Sequence, residues 1–277
     1  FHPKPNANSD LLFTIYCSLI GFFIVGMLGI CQFAALIKFW PYDLSLSLNN
    51  YQFNKMDGGG WSAYFNSIKM SVLTAGIGTC IIFFGAYLVE KSSGFKTGRA
   101  FFQMIAMLPM AIPGMVLGLA YIFFFNNPAN PLHTIYGTMA ILVICTVTHF
   151  YTVSHLTAIT ALKQMDREFE SVAASLKQPT FKLFSRVTVP VCLPAILDIS
   201  IYLFVNAMTT VSAVVFLYSP KTSLASIAVL NMDDAGDIAP AAAMGMMIFY
   251  TNLLARILHL IISKIVLRST QAWRASK

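Results

Sequence analysis

The side chains in this 277-residue chain that could do chemistry are few and mostly uncharged. Asn206, Thr209, Thr210 and Ser212 interrupt one long apolar run. Such amides and hydroxyls either hydrogen-bond helix to helix or line a path along which a polar solute is handed on, and both roles fit the pattern. Asp198 is the one acid within such a run. At a bilayer centre it would cost about 2.5–3.5 kcal/mol, but it lies one helical turn, about 6 Å, past Pro194 and can reach the interface. It serves there either as a structural hydrogen-bond partner or as part of the solute path. Pro109, Pro113, Gly114 and Gly118 bend and thin a third run, for close helix packing or for a flexible gate. His149 and His155 do not have the spacing of a metal-ligand pair on a helix and read as hydrogen-bonded interface residues. The five cysteines form neither a C-x-x-C nor a Cys/His cluster, so no metal, cofactor or disulfide framework is expected. Asp233, Asp234 and Asp237 lack the full spacing of a calcium loop. They cap a following helix, meet a soluble partner or hold a cation. No G-x-x-x-x-G-K-[ST] phosphate loop is present, so the chain is not expected to hydrolyse nucleotide itself.

The elements that must position these groups are membrane spans. The chain is 57% hydrophobic and 10% charged, with a mean hydropathy of +0.70. Soluble domains carry about 25% charged residues. An integral, all-α membrane protein is expected, with six spans near residues 11–39, 68–89, 100–125, 136–156, 194–218 and 239–265. Of 18 Lys and Arg, thirteen fall on one set of loops and termini and four on the other, with Arg256 inside a span and left out. That asymmetry places both termini in the cytoplasm. It also accounts for the net charge of +7 without nucleic acid. The outward loops are then 41–67, 126–135 and 219–238.

One inward segment is not membrane-like. Phe169, Val172, Ala173 and Leu176 fall at i, i+3, i+4 and i+7, one face of a helix. Phe181, Phe184 and Val187 form a second stripe. Lys177-Gln178-Pro179 reads as the corner between them, with Pro179 suited to the first position of a helix. Pro190 and Pro194 end the insert. The result is a helix-turn-helix shelf between spans four and five. Its apolar face either folds back on its own spans or docks on another protein.

This spacing resembles the coupling (EAA) loop of ABC importer permeases, in which E-A-A is followed by a Gly and, further on, by two prolines. Ser171-Val172-Ala173 takes the E-A-A place, Lys177 the Gly place, and Pro190 and Pro194 the prolines. Glu170 stands beside the position of the missing Glu. A non-Gly residue in a left-handed turn costs about 1–2 kcal/mol, so a differently built corner is expected at Lys177. The resemblance implies a type I ABC importer permease fold in one permease domain over 1–277. Within it, 66–265 would be the core and 166–193 the coupling loop. Phe169, Glu170, Ser171, Val172, Ala173, Leu176, Lys177, Phe181 and Phe184 would meet a cytoplasmic ATPase subunit. Pro113, Gly114, Asn206, Thr209, Thr210 and Ser212 would be candidates for the translocation path. It also implies a second permease half, identical, different or fused, a periplasmic binding protein, and a bacterial inner membrane.

The runs "LPMAIPGMVLGLAYIF" and "TTVSAVVFLYSPKTSLASIAVLNMDDAGDIAPAAAMGMMI" look most like the branch serving 2-aminoethylphosphonate, ferric iron and polyamines. 2-Aminoethylphosphonate is the first expectation for substrate and the other two the alternatives. The initial Phe and the N-terminal run resemble the second half of a two-half permease. Two rival classes fit less well. A membrane enzyme needs clustered acids, His or Cys inside the spans. An ion-coupled transporter would leave the shelf unexplained.

Overall fold

A computed structural model describes residues 7–39, 42–55, 59–91, 94, 96–166 and 168–270, except for the side chains of Glu170, Ala174 and residues 267–270. Lys4, Arg167, Arg274 and Lys277, which entered the charge asymmetry, lie outside these residues.

The chain is almost entirely helical. Helix α1 (Ala7–Leu36) leads into a short antiparallel hairpin, β1 (Ile37–Phe39) and β2 (Asp43–Leu46), the only departure from an all-α fold among the described residues. Helix α2 (Gly60–Lys91) starts eight residues before the expected second span. Gly59 and Gly60 take positive φ of 94° and 61°, which Gly adopts without a Cβ clash. Trp61 N–H then donates to Asn54 Oδ1 at 3.3 Å, which satisfies one of the first-turn amides. Helices α1, α2 and α12 (Ile238–Thr270) are each long and apolar enough to cross a bilayer.

The remaining spans are bent. Helices α3 (Lys96–Ala111) and α4 (Gly114–Phe125) meet at 112° across Ile112-Pro113. The residue before a proline is pushed out of the helical region, so the break falls where the sequence places it. Helices α5 (Met139–His149) and α6 (Tyr151–Lys163) meet at 57°. No Pro or Gly marks this kink. Thr146 and Thr148 donate their hydroxyls to the carbonyls of Leu142 (2.7 Å) and Ile144 (2.9 Å), a back-bonding that bends helices. Helix α7 (Glu168–Ser175), helix α8 (Thr180–Leu183), a π-type turn (Phe184–Thr188) and α9 (Val189–Val191) form the shelf. The chain then turns by 74° into α10 (Leu193–Thr209). The bundle thus has three continuous crossings and up to six if each bent pair makes one.

Two expectations fail near the end of α10. The apolar run predicts a fifth span continuing to Tyr218, yet the helix stops at Thr209 and Thr210 is extended (φ −67°, ψ 135°). Thr209 Oγ1 bonds the Val205 carbonyl at 3.1 Å, and Asn206 Nδ2 bonds that of Tyr202 at 2.8 Å. The freed Thr210 carbonyl accepts from Ser226 Oγ at 2.6 Å. The following segment, expected from the sequence to be an outer loop, instead contains helix α11 (Ala225–Asp234), with Ala225, Ile227, Ala228 and Met232 buried. Ala225 N–H donates to Ser67 Oγ (2.7 Å), and Asn66 Nδ2 donates to the carbonyls of Lys221 (3.0 Å) and Ser223 (3.1 Å). These bonds tie the start of α2 to the returning segment.

The main core joins α2, α5, α6 and α10 around Met70, Ile82, Leu142, Leu162 and Leu203. A second joins α11, α12 and the first turns of α2 around Phe53, Met208, Ala228 and Met244. Helix α1 leaves its apolar window unburied and exposes Phe22 at 82%. In water such a helix would be unstable; against hydrocarbon it is the expected surface.

Candidate coupling surface and polar cavity

At the shelf, α7 closes with Leu176 N–H on the Val172 carbonyl (2.9 Å) and Gln178 N–H on that of Ala173 (3.0 Å). The second bond needs a left-handed residue just past the helix. Lys177 supplies it with φ 53°, the only non-Gly positive φ among the described residues. The corner is therefore made as a Gly would make it, contrary to the expectation of a different turn. Pro179 precedes α8 as its N-cap (φ −66°, ψ 141°) rather than occupying the first helical position.

Phe169, Val172, Leu176 and Phe181 are exposed at 45%, 56%, 64% and 75%. Phe169, Val172, Ala173, Leu176, Leu183 and Val187 line a groove of about 440 Å³. Asp166 and Glu168 also line it, as do Lys182 and Arg186. Ser171 accepts at its carbonyl from Ser175 Oγ at 3.0 Å. The Glu170 side chain lies outside the description. Phe184 faces inward, its ring centroid 4.6 Å from Tyr87 and 5.8 Å from Phe84, and so anchors the shelf to α2.

The candidate path residues divide. A Cβ on Gly114 would stand 3.0 Å from Ser212 Cβ and 3.1 Å from His149 Cε1, so the break in the third span brings Gly114, Ser212 and His149 together. A Cβ on Gly118 would meet the Ala213 carbonyl oxygen at 2.8 Å. Pro113 and Thr209 are exposed, and Thr210 is buried. His149 Nδ1 and both His155 ring nitrogens have no hydrogen-bond partner among the described residues. His155 instead stacks on Tyr151 at 5.5 Å, which corrects the reading of these two as hydrogen-bonded.

Asn206 lines a separate cavity of about 590 Å³ among α6, α10 and α12. Ser154, Thr157, Asp198, Tyr202, Asn252 and Arg256 share it. Asp198 Oδ1 lies 3.5 Å from Nε2 of the nearly buried His259, while the carboxylate side chain remains 61% exposed. Asn252, Arg256 and His259 were not picked out from the sequence. The available signal was Arg256, a cation inside a span, and such residues are functional by default. No group of three or more metal-ligating side chains occurs among the described residues.

The fold is that of ABC transporter permeases. A chain of the bacterial alginate ABC transporter superposes with a TM-score of 0.74 over 94% of this chain and 95% of that one, at 15% identity. A chain of the MetNI methionine ABC transporter superposes at 0.59 over 74% of this chain. The sequence goes further. Residues 78–268 match the family described as binding-protein-dependent transport system inner membrane component, and the chain belongs to that family. It is a multi-pass inner-membrane component of that family.

The chain is 30% identical over 243 residues to the ferric transport system permease protein FbpB of Actinobacillus pleuropneumoniae, covering 86% of this chain and 34% of that protein. It thus spans about a third of that relative's length. It is 26% identical over 263 residues to the putative 2-aminoethylphosphonate transport system permease protein PhnV of Salmonella paratyphi A, covering 91% of this chain and 92% of that one.

Proposed function

We propose that this chain is one permease half of an ATP-driven importer whose shelf receives the work of a separate cytoplasmic ATPase. The shelf and both termini then face the cytoplasm, and a periplasmic binding protein delivers a small polar solute to the opposite side. The observation that carries this reading is the exposed apolar groove of α7–α8, held in shape by the left-handed Lys177 corner and anchored to α2 through Phe184. A groove of this kind gains free energy only when another surface covers it.

The test is Ala173→Asp, measured as ATPase pull-down from membranes holding equal amounts of each variant. Burying an unpaired charge at such a contact costs a few kcal/mol, so ATPase binding should fall by about two orders of magnitude while insertion is unchanged. Full ATPase retention together with full uptake would remove the shelf from this role.

For the solute, 2-aminoethylphosphonate is supported by the near end-to-end match to PhnV. Ferric iron is the second reading, supported by the higher identity to FbpB. Uptake of each in a strain lacking this chain decides between them.

A further inference from the structure

The cavity among α6, α10 and α12 holds opposite charges that do not neutralise each other. Asp198 and Arg256 both line it. Asp198 lies 3.5 Å from His259, which does not line this cavity, and Arg256 makes no ion pair among the described residues. His259 and Arg256 are three residues apart on α12, so the two charges stand at levels separated by about 4.5 Å along the helix axis. Two polar atoms nearby are unspent. Asn252 Oδ1 and Ser154 Oγ are buried without a hydrogen-bond partner, and Ser154 is only 1% exposed. A buried polar atom without a partner is costly, so a ligand that supplies donors there is favoured. Asp198 offers acceptors on one side of Arg256 and Asn252 offers one about 6 Å along the axis on the other side, whereas Arg256 offers donors only.

We infer that this cavity is a binding site for a short zwitterion, taking a primary ammonium at Asp198 and a phosphonate or phosphate oxyanion at Arg256. Arg256 repels a bare ferric ion, so the site deepens the 2-aminoethylphosphonate reading and rests on it. A volume of about 590 Å³ leaves room for such a ligand with water. The ethanolamine headgroup of a phospholipid carries the same pair of charges, and both sources share this chemistry.

The test uses the assembled transporter, purified with its ATPase into phosphatidylcholine nanodiscs and titrated with 2-aminoethylphosphonate and with ethylphosphonate, which lacks the amine. Losing a hydrogen bond to a charged partner weakens binding about tenfold. Asp198→Asn should therefore weaken 2-aminoethylphosphonate about tenfold and leave ethylphosphonate unchanged, while Arg256→Gln weakens both. If Asp198→Asn does not fold, Asn206→Leu, which fills the cavity from its wall, must weaken both probes. Absence of saturable binding by the unaltered transporter, or charge variants that bind like it, overturns the site.

Phosphatidylethanolamine discs separate the two sources. Weaker probe binding there identifies the headgroup as the resident ligand, and equal binding identifies the free solute; the ammonium–oxyanion site stands in both cases. Whole-cell uptake separates the site from the substrate reading. No 2-aminoethylphosphonate uptake with this residue dependence intact removes the substrate alone. Normal uptake by Asp198→Asn and Arg256→Gln removes the site alone.

Discussion

Gly118 shows how a single residue positions the path. The Cβ of an alanine there would meet a backbone oxygen, that of Ala213, at 2.8 Å. Backbone cannot rotate away as a side chain can, so the helices must separate. Gly118→Ala should destabilise the permease by about 1–3 kcal/mol, read as a lower thermal midpoint in detergent. A wild-type midpoint would show that α4 and residues 211–217 do not pack as described. Gly114 differs, because its nearest neighbours are side chains of Ser212 and His149. The glycines at 114 and 118 stood out in the sequence. Their partners did not, since Ser212 and Ala213 lie some hundred residues away and no local pattern links them.

Among elements, the returned helix α11 was the least legible. Its length of 10 residues is too short for a span, and the polar residues around it read as a loop. It stays buried because its surroundings absorb its backbone groups. Ser67 Oγ takes the Ala225 N–H, and Ser226 Oγ satisfies the Thr210 carbonyl where α10 ends. Ser226→Ala removes the latter donor and leaves a buried carbonyl unpaired, a loss of about 1–3 kcal/mol. The expected result is faster hydrogen exchange across Ala225–Asp234 with α2 unaffected. Unchanged exchange would mean that the bond adds nothing to holding α11 in place. The shelf, by contrast, was readable in outline, though not in the left-handed turn of Lys177, the N-cap place of Pro179 or the inward ring of Phe184. Its stripe, its corner at Lys177 and its closing prolines are local features, governed by residues within one or two turns.

For the whole molecule, the charge asymmetry predicts an orientation. The shelf carries Lys177, Lys182 and Arg186, and the opposite loops are poor in cations. Reporter fusions at Lys182 should read cytoplasmic and at Asn54 periplasmic. A periplasmic signal at Lys182 would invert the molecule and separate the shelf from any ATPase. The bundle leaves α1 outside the main core, with Tyr250 OH on Gln32 Oε1 at 2.6 Å among its few polar ties to α12. A helix held this way depends on lipid and on neighbouring chains for the rest of its surroundings.

The amino-acid sequence by itself determined the membrane class, the number of apolar runs, the charge asymmetry and the shelf. Each depends on composition or on spacing within a few helical turns, where the 3.6-residue period and proline stereochemistry act. Only the tertiary structure decided which polar groups meet. Asp198 beside His259, Asn252 and Arg256 in one cavity with Asn206, and Ser67 on Ala225 are pairings across 46 to 158 residues. Within an apolar helix a polar residue looks the same whether it faces lipid, core or cavity. The packing of neighbouring helices selects among the three.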